Sequence, residues 1–323
     1  MKISVGITGG AGYTAGELIR LLINHPNVKI EFVHSGSNAG NRITDIHEGL
    51  MGETDLVFVD SFDLESLNVL FLCSPHGDSR KFMETHVLPE TLKIIDLSMD
   101  YRHKENAANF VYGLPELNKE TIRKTQYLAN PGCFATAIQL ALLPLASKQL
   151  LKNEIHVNAI TGSTGAGVKP EVTTHFSWRN NNISVYNVFK HQHLKEIRES
   201  LNQLQPNFDN EINFIPVRGN FSRGIFATLY TECDWNLEEI RRLYSDCYKD
   251  SAFTFISDNP IDLKQVVNTN KCLLHLEKHT GKLFIVSIID NLLKGASGQA
   301  VQNFNLMFGL DEKTGLNLKS SGF

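Results

Sequence analysis

Cys133 is the residue on which the sequence centres its chemistry. It follows a Pro131-Gly132 turn and opens an apolar run of helical character, CFATAIQLALLPL. A cysteine in that setting sits where the first backbone N–H groups of a helix point outward, and the positive end of the helix favours the nucleophilic thiolate. The same N–H groups can receive the oxyanion of a carbonyl under attack. A buried structural thiol is the competing reading, because free cysteines commonly serve as small hydrophobes. Cys73, Cys233, Cys247 and Cys272 bring the total to five, widely spread and without a CxxC pair, which speaks against both a disulfide framework and a zinc site.

Such a nucleophile needs elements to hold it and a second reactant. Lys2 to Thr8 read as a strand, Gly9, Gly10 and Gly12 as a turn, and TAGELIRLLINH as a helix. Gly9, Gly12 and Ala15 fit a GxxGxxA pattern, in which small residues let the backbone approach a pyrophosphate at a helix N-terminus; glycine turns also occur there for steric reasons alone. The next strand, Val28 to His34, ends without the carboxylate that bonds the ribose hydroxyls of NAD. Its loop runs Ser35-Gly36-Ser37-Asn38, with Arg42 beyond. Hydroxyls, backbone N–H groups and one cation suit a 2′-phosphate, so the loop favours NADP.

Asn68 to Cys73, Lys93 to Leu97 and Gln126 to Ala129 read as further strands, the first two being apolar runs typical of parallel strands covered on both faces. Asp78 to Leu88 reads as a crossover helix. The turn Ser74-Pro75-His76-Gly77 lies at the carboxyl end of a strand, where open α/β sheets bind ligands; His76 has no partner in view there. Beyond Cys133, Pro144 is expected to kink or end the helix. Glu154 to Thr161, Glu211 to Val217, Gly224 to Cys233 and Lys282 to Ile289 then read as strands of a largely antiparallel sheet with one wet face. Trp235 to Tyr248 reads as a helix capped by Asn236, and Lys294 to Leu310 as a terminal helix.

The fold class is therefore α/β: a Rossmann-type parallel-sheet domain plus an α+β catalytic domain with a large, mostly antiparallel sheet. Residues 1–133 with 294–323 are assigned to the nucleotide-binding domain, and 134–293 to the catalytic, substrate and oligomerisation domain. Across 323 residues, 31 Lys and Arg face 35 Asp and Glu without long charge runs, so neither nucleic acid nor an anionic membrane is expected as a partner. Neither a signal peptide nor a spanning segment is visible, and the expected location is the cytoplasm.

Taken together, GITGGAGYTAGEL, CSPHG, DLSMDYR, YGLPEL, NPGCFATA, TGSTGAG, HQHLKEI and IDNLLKGASGQAVQNFNLM resemble the N-acetyl-γ-glutamyl-phosphate reductase family, NADPH-dependent enzymes of arginine biosynthesis. The likeness covers nearly the whole chain, and the family is similar in architecture to aspartate-semialdehyde and glyceraldehyde-phosphate dehydrogenases. The resemblance implies Cys133 as nucleophile and a catalytic histidine from His191-Gln192-His193, with His193 favoured and His191 close by. It implies that Gly9, Gly12, Tyr13, Thr14, Ser35, Ser37 and the Ser74-Pro75 turn hold the adenosine and phosphates of NADP, and that Asn291, Gly295 and Gln299 lie by the nicotinamide. Ser98, Arg102 and Tyr112 are implied neighbours of a small acyl phosphate substrate. A homo-oligomer, a tetramer, rests on the resemblance alone.

The reaction asks for such groups in its own right. Thiolate attack on an acyl phosphate expels phosphate and leaves a thioester, which accepts hydride where a carboxylate does not. A histidine can take the thiol proton at neutral pH. Phosphate and carboxylates call for guanidinium groups, with Arg102, Arg218 and Arg223 as candidates by proximity to the motifs. Two positions depart from the family. Val217 stands where a histidine is common and Gly36 where an arginine is frequent, so the 2′-phosphate grip is expected to rest on Arg42. N-acetyl is the family's acyl group, while an apolar wall at Val217 beside the Arg218 cation leaves N-succinyl open. Another semialdehyde dehydrogenase, acting for instance on aspartyl phosphate, and a non-catalytic NADP-binding protein are the alternatives.

Overall fold

The computed structural model describes residues 2–322. They form two compact units, one containing the chain up to Pro131 together with Ala296–Asn317, the other Gly132–Gly295 together with the residues from Leu318 onward. Gly132 and Cys133 thus belong to the second unit rather than ending the first, because they open a helix that covers the second unit's sheet. Residues 318–322 also belong to it: Asn268 Nδ2 donates to the carbonyl of Lys319 at 3.2 Å.

In the first unit the strands are β1 (Ile3–Thr8), β2 (Val28–His34), β3 (Phe58–Val59), β4 (Val69–Leu72), β5 (Lys93–Asp96), β6 (Val111–Tyr112) and β7 (Tyr127–Ala129). They form one sheet in the order β3-β2-β1-β4-β5-β7-β6, parallel throughout. All of β4 is buried, as strands covered on both faces require. The helix Tyr13–Leu22 presents Ala15, Leu18, Ile19, Leu21 and Leu22 to the core, and Gly298–Met307 is buried along its whole length. Strand order reverses between β1 and β4, so their carboxyl ends, at Thr8 and Leu72, flank the crevice in which sheets of this kind hold ligands.

The second unit has β8 (Ile155–Thr161), β9 (Ser184–Val185), β10 (Ile212–Arg218), β11 (Ile225–Glu232), β12 (Thr254–Ser257), β13 (Cys272–His279) and β14 (Lys282–Ile289). Their order is β12-β13-β14-β11-β8-β10-β9, and only β12–β13 and β8–β10 run parallel. β12 and β13 have no counterpart in the sequence reading: His275, Glu277, Lys278 and His279 break the apolar pattern of β13. Asn236 caps the helix Leu237–Tyr248 through a reciprocal pair of bonds with Glu239, at 3.0 and 2.9 Å.

Pro144 does not end the Cys133–Ser147 helix, which runs past it. Proline removes the N–H that would bond to the carbonyl of Leu140, four residues earlier. That carbonyl instead accepts the Tyr248 hydroxyl at 2.6 Å, the Tyr244 hydroxyl donates to Ala141 O, and Ser287 Oγ donates to Ala137 O at 2.8 Å. Tyr248→Phe should therefore cost about 1–3 kcal/mol, the usual cost of a buried carbonyl left without a donor, and the loss should shrink in a Pro144→Ala background that restores the N–H. Urea unfolding followed by tryptophan fluorescence suits the measurement, because Trp178 and Trp235 both lie in the second unit. Equal losses in the two backgrounds would show that the hydroxyl does not replace the missing donor.

Candidate active site

Cys133 is the first residue of its helix, entered through an extended Gly132 (φ −72°, ψ 152°) that offers no side-chain cap. The Gly132 N–H donates to Glu196 Oε2 at 3.0 Å, and Glu196 is only 2% exposed. Its other oxygen lies 3.8 Å from Nε2 of His193, the first residue of the helix His193–Leu204. Gln139 Nε2 donates to the Glu196 carbonyl at 3.1 Å and to Ser200 Oγ at 3.0 Å, tying the two helices together. The His193 ring rests on Gly132 so closely that a β-carbon there would fall 2.3 Å from Nε2. A β-carbon on Gly295 would fall 2.8 Å from that of Cys133. Both positions admit glycine alone.

His191 Nδ1 accepts the His193 N–H at 3.2 Å, which assigns its ring proton to Nε2. The two rings lie 4.6 Å apart, and Phe134, Tyr186 and Phe214 enclose His191. Burial pushes the His191 pKa down to about 4, with Glu196 opposing the shift and Arg218 adding to it, so the ring is neutral at physiological pH. Burial likewise pushes the Tyr186 phenol up to about 12, with Cys133 adding to the rise and Arg218 opposing it.

Other second-unit candidates serve the frame around this corner. Arg223 grips the Asp290 carboxylate through two bonds of 3.1 and 3.3 Å. The same buried carboxylate accepts the N–H groups of Asn268, Leu292 and Leu293 at 2.7, 2.8 and 3.2 Å. Asn291 accepts the Gly224 N–H at 2.6 Å and donates to Thr164 Oγ1 at 3.0 Å. The β8–β10 register is unbroken from Ile212 to Arg218, so side chains alternate: Phe214 and Arg218 share the helix-covered face, and Val217 takes the opposite one. Val217 therefore does not form a wall beside Arg218.

In the first unit Gly9 adopts φ +69°, and a β-carbon on it would meet the Cys73 carbonyl at 2.6 Å. Gly12 begins the Tyr13–Leu22 helix with no side-chain cap, leaving the first N–H groups to a ligand. This turn fits a dinucleotide pyrophosphate. Tyr13 is exposed, and the Thr14 carbonyl accepts Ser297 Oγ at 2.7 Å. His47, which the sequence reading passed over, braces the turn: Nε2 lies 2.7 Å from Gly10 O and the ring covers Gly16. Asn38 Nδ2 donates to Ser35 Oγ and Ser37 Oγ at 3.2 and 3.0 Å, and Arg42 is exposed nearby in the chain. Ser74 and Pro75 follow β4 at the crevice. Gln299 is buried in the Gly298–Met307 helix.

Ser98 and Arg102 are buried ties of this unit. Ser98 Oγ donates to Asp96 at 2.8 Å, while Arg102 donates to the carbonyls of Asn130 and Leu97 at 2.9 and 3.0 Å. Tyr112 offers its carbonyl to Asn118 Nδ2 at 2.9 Å. His76 Nδ1 accepts the Met99 N–H at 3.1 Å. Among the described residues no His, Cys, Asp and Glu cluster is arranged to hold a metal ion, and no helix is long and apolar enough to cross a membrane.

Residues 4–125 match the NAD-binding domain of semialdehyde dehydrogenases, and residues 133–291 their dimerisation domain. The chain belongs to the semialdehyde dehydrogenase family. Within it, the N-acetyl-gamma-glutamyl-phosphate reductase of Azobacteroides pseudotrichonymphae is 72% identical over 321 residues, covering 99% of this chain and 100% of the other. The reductases of that name from Phocaeicola vulgatus and Parabacteroides distasonis are 65% and 64% identical over the same span. Aspartate semialdehyde dehydrogenase II from Vibrio cholerae shares the fold at a TM-score of 0.75 and 16% identity, over 96% of this chain and 99% of the other. The NADP complex of the Candida albicans aspartate semialdehyde dehydrogenase gives 0.73 and 14%, over 95% and 98%. The Rossmann-type parallel sheet and the mostly antiparallel second sheet agree with the sequence reading, and a nicotinamide dinucleotide is this semialdehyde dehydrogenase's cofactor.

Glu196 is the other residue that the sequence reading missed. It lies three residues after His193 on an amphipathic helix and is buried there.

The depressed His191 pKa has a signed consequence. Between its ordinary value of 6.5 and about 4, the unfolded chain holds a proton on His191 that the folded chain does not. Stability is therefore fully present above pH 6.5 and falls as pH drops toward 4, by on the order of 3 kcal/mol from this residue. Urea unfolding at pH 7, 5.5 and 4.5 should show a shallower fall for His191→Gln than for the parent. Parallel falls would remove His191 as the source.

Proposed function

We propose that this chain is an NADPH-dependent N-acyl-γ-glutamyl-phosphate reductase of arginine biosynthesis, working through a thioester on Cys133. The observation that carries the roles is the corner itself: a cysteine at the start of a helix, a histidine ring resting on the glycine before it, and a buried carboxylate beside that ring.

His193 takes the Cys133 thiol proton, and the imidazolium faces Glu196. The sulfur attacks the γ-acyl phosphate carbon, the oxyanion meets the uncapped N–H groups of the helix start, and the carbon–oxygen bond to phosphate breaks, leaving a thioester. When bound, the reduced dinucleotide supplies the hydride that takes the thioester to the aldehyde level. His193 can protonate the developing hemithioacetal oxygen and accept that proton again as the carbon–sulfur bond breaks. Semialdehyde leaves, and Cys133 is regenerated. The glycine turn of Gly9 and Gly12 holds the pyrophosphate, and Ser35, Ser37 and Arg42 take the 2′-phosphate. The same reading makes the enzyme cytoplasmic and homo-oligomeric, a tetramer. The full-length relatives favour the glutamyl substrate over an aspartyl one, since the aspartate enzymes share only the fold at this identity.

Reduction of NADP⁺ by N-acyl-glutamate semialdehyde and phosphate tests the reading in reverse. Cys133→Ser should bind NADPH normally and lose turnover, and His193→Asn should lose roughly 10²- to 10⁴-fold in kcat. Near-parental rates in either variant would remove that residue from the chemistry. For the cofactor, NADPH should be preferred to NADH, with the gap narrowed by Arg42→Ala. Equal use of both by the parent would overturn the loop assignment.

A further inference from the structure

Three arginines gather near the end of β10, and their surroundings separate them. Arg179 spends its guanidinium on the carbonyls of Thr173, Asn182 and Arg218 and on Ser184 Oγ. Arg223 is committed to Asp290. Arg218 has neither a carboxylate nor a carbonyl partner among the described residues: it is hydrogen-bonded to Tyr186, whose ring centroid lies 4.7 Å from the guanidinium, while its Nε is buried without a hydrogen bond. It shares a strand face with Phe214, whose ring touches both Phe134, next to Cys133, and His191.

A buried N–H donor without an acceptor costs about 1–3 kcal/mol, so a group that arrives with the substrate and satisfies it is favoured. Nε and one neighbouring Nη form the side of the guanidinium fork that takes two oxygens by parallel bonds. The remainder of this wall is aromatic or, at His191, neutral. One unmatched positive charge in such a wall balances one negative charge. A phosphate dianion would leave a net charge in the same desolvated place, with Arg179 and Arg223 already engaged.

We propose that Arg218, backed by Tyr186, is a carboxylate-binding specificity subsite that holds a carboxylate of the substrate's glutamyl or acyl portion beside the reacting carbon. This rests on the reductase reading above. The carboxylate has two possible sources, the α-carboxylate of the glutamyl group or a terminal carboxylate on a dicarboxylic acyl group such as succinyl.

The experiment compares N-acetyl- and N-succinyl-glutamate semialdehyde, with phosphate and NADP⁺, in the parent, Arg218→Ala and Arg218→Lys. Arg218→Ala should raise the semialdehyde KM about 10- to 100-fold, the range of a lost charged hydrogen-bond pair, with kcat and the phosphate KM changed only a few-fold. Arg218→Lys should fall between, keeping the charge but losing the fork. A loss on both compounds assigns the α-carboxylate, whereas a loss confined to the succinyl compound assigns the acyl terminus; either supports the subsite. Arg218→Ala loses only the Tyr186 contact within the free protein, so Tm should change little and NADPH binding should stay intact. A semialdehyde KM within about twofold of the parent, a shift confined to the phosphate KM, or a lowered Tm without a KM effect overturns the proposal. A parent inactive on both semialdehydes refutes the reductase reading first, and the subsite falls with it.

Discussion

The reactive corner depends on one buried carboxylate. Glu196 is almost wholly withdrawn from water, a costly state for a charge unless its oxygens are matched. One oxygen accepts the Gly132 N–H and the other faces the His193 imidazole, so satisfying the carboxylate fixes both the peptide before Cys133 and the ring beside it. The ring then lies against Gly132, where a β-carbon cannot be accommodated, and Gly295 imposes the same limit from another side of Cys133. Small residues on two sides and a carboxylate on a third leave the sulfur-bearing residue little freedom, as positioned catalysis requires.

The second unit keeps that helix start in place by treating the whole helix as core. From Phe134 to Ala146 every residue is buried, so a carbonyl freed by Pro144 has no water to turn to. Tyrosines of another helix and a serine of β14 reach the helix backbone. β14 is followed by Asp290, whose carboxylate gathers Arg223 and three backbone N–H groups before the chain reaches Gly295. The strand that supports the middle of the helix thereby leads into the glycine that packs on its first residue.

Much of this was legible wherever the cause is local. The turn-then-helix setting of Cys133, the glycine turn after β1, the Asn236 cap and the alternating strands each carry their signal within a few residues. Effects decided by partners distant in sequence were not. Pro144 reads as a helix breaker because Tyr248 is invisible from its neighbours, and β13 is obscured by charged residues that its pairing with β14 tolerates. Glu196 drew no reading for the same reason. Ser98, Arg102, Arg223 and Asn291 stand within motifs and so drew functional assignments, while their bonds to Asp96, to backbone carbonyls, to Asp290 and to Thr164 are not readable from a motif. His47 gave no spacing signal, since its partners, Gly10 in the first glycine turn and Gly16 in the helix after it, lie far earlier in the chain.

The order of the two histidines follows from their surroundings rather than from their shared residue type. His191 is enclosed by rings, with the Arg218 charge nearby, so a second positive charge there is opposed by both desolvation and repulsion. His193 has the Glu196 carboxylate 3.8 Å from Nε2, on the side that rests against Gly132. Burial outweighs the Glu196 charge at His191, whereas His193 holds that carboxylate directly beside its ring, although only Gln192 separates them. His191 contributes as a neutral ring whose Nδ1 accepts the His193 N–H and steadies the start of that helix. In the mechanism proposed above, His193 rather than His191 is therefore the group that takes the Cys133 proton.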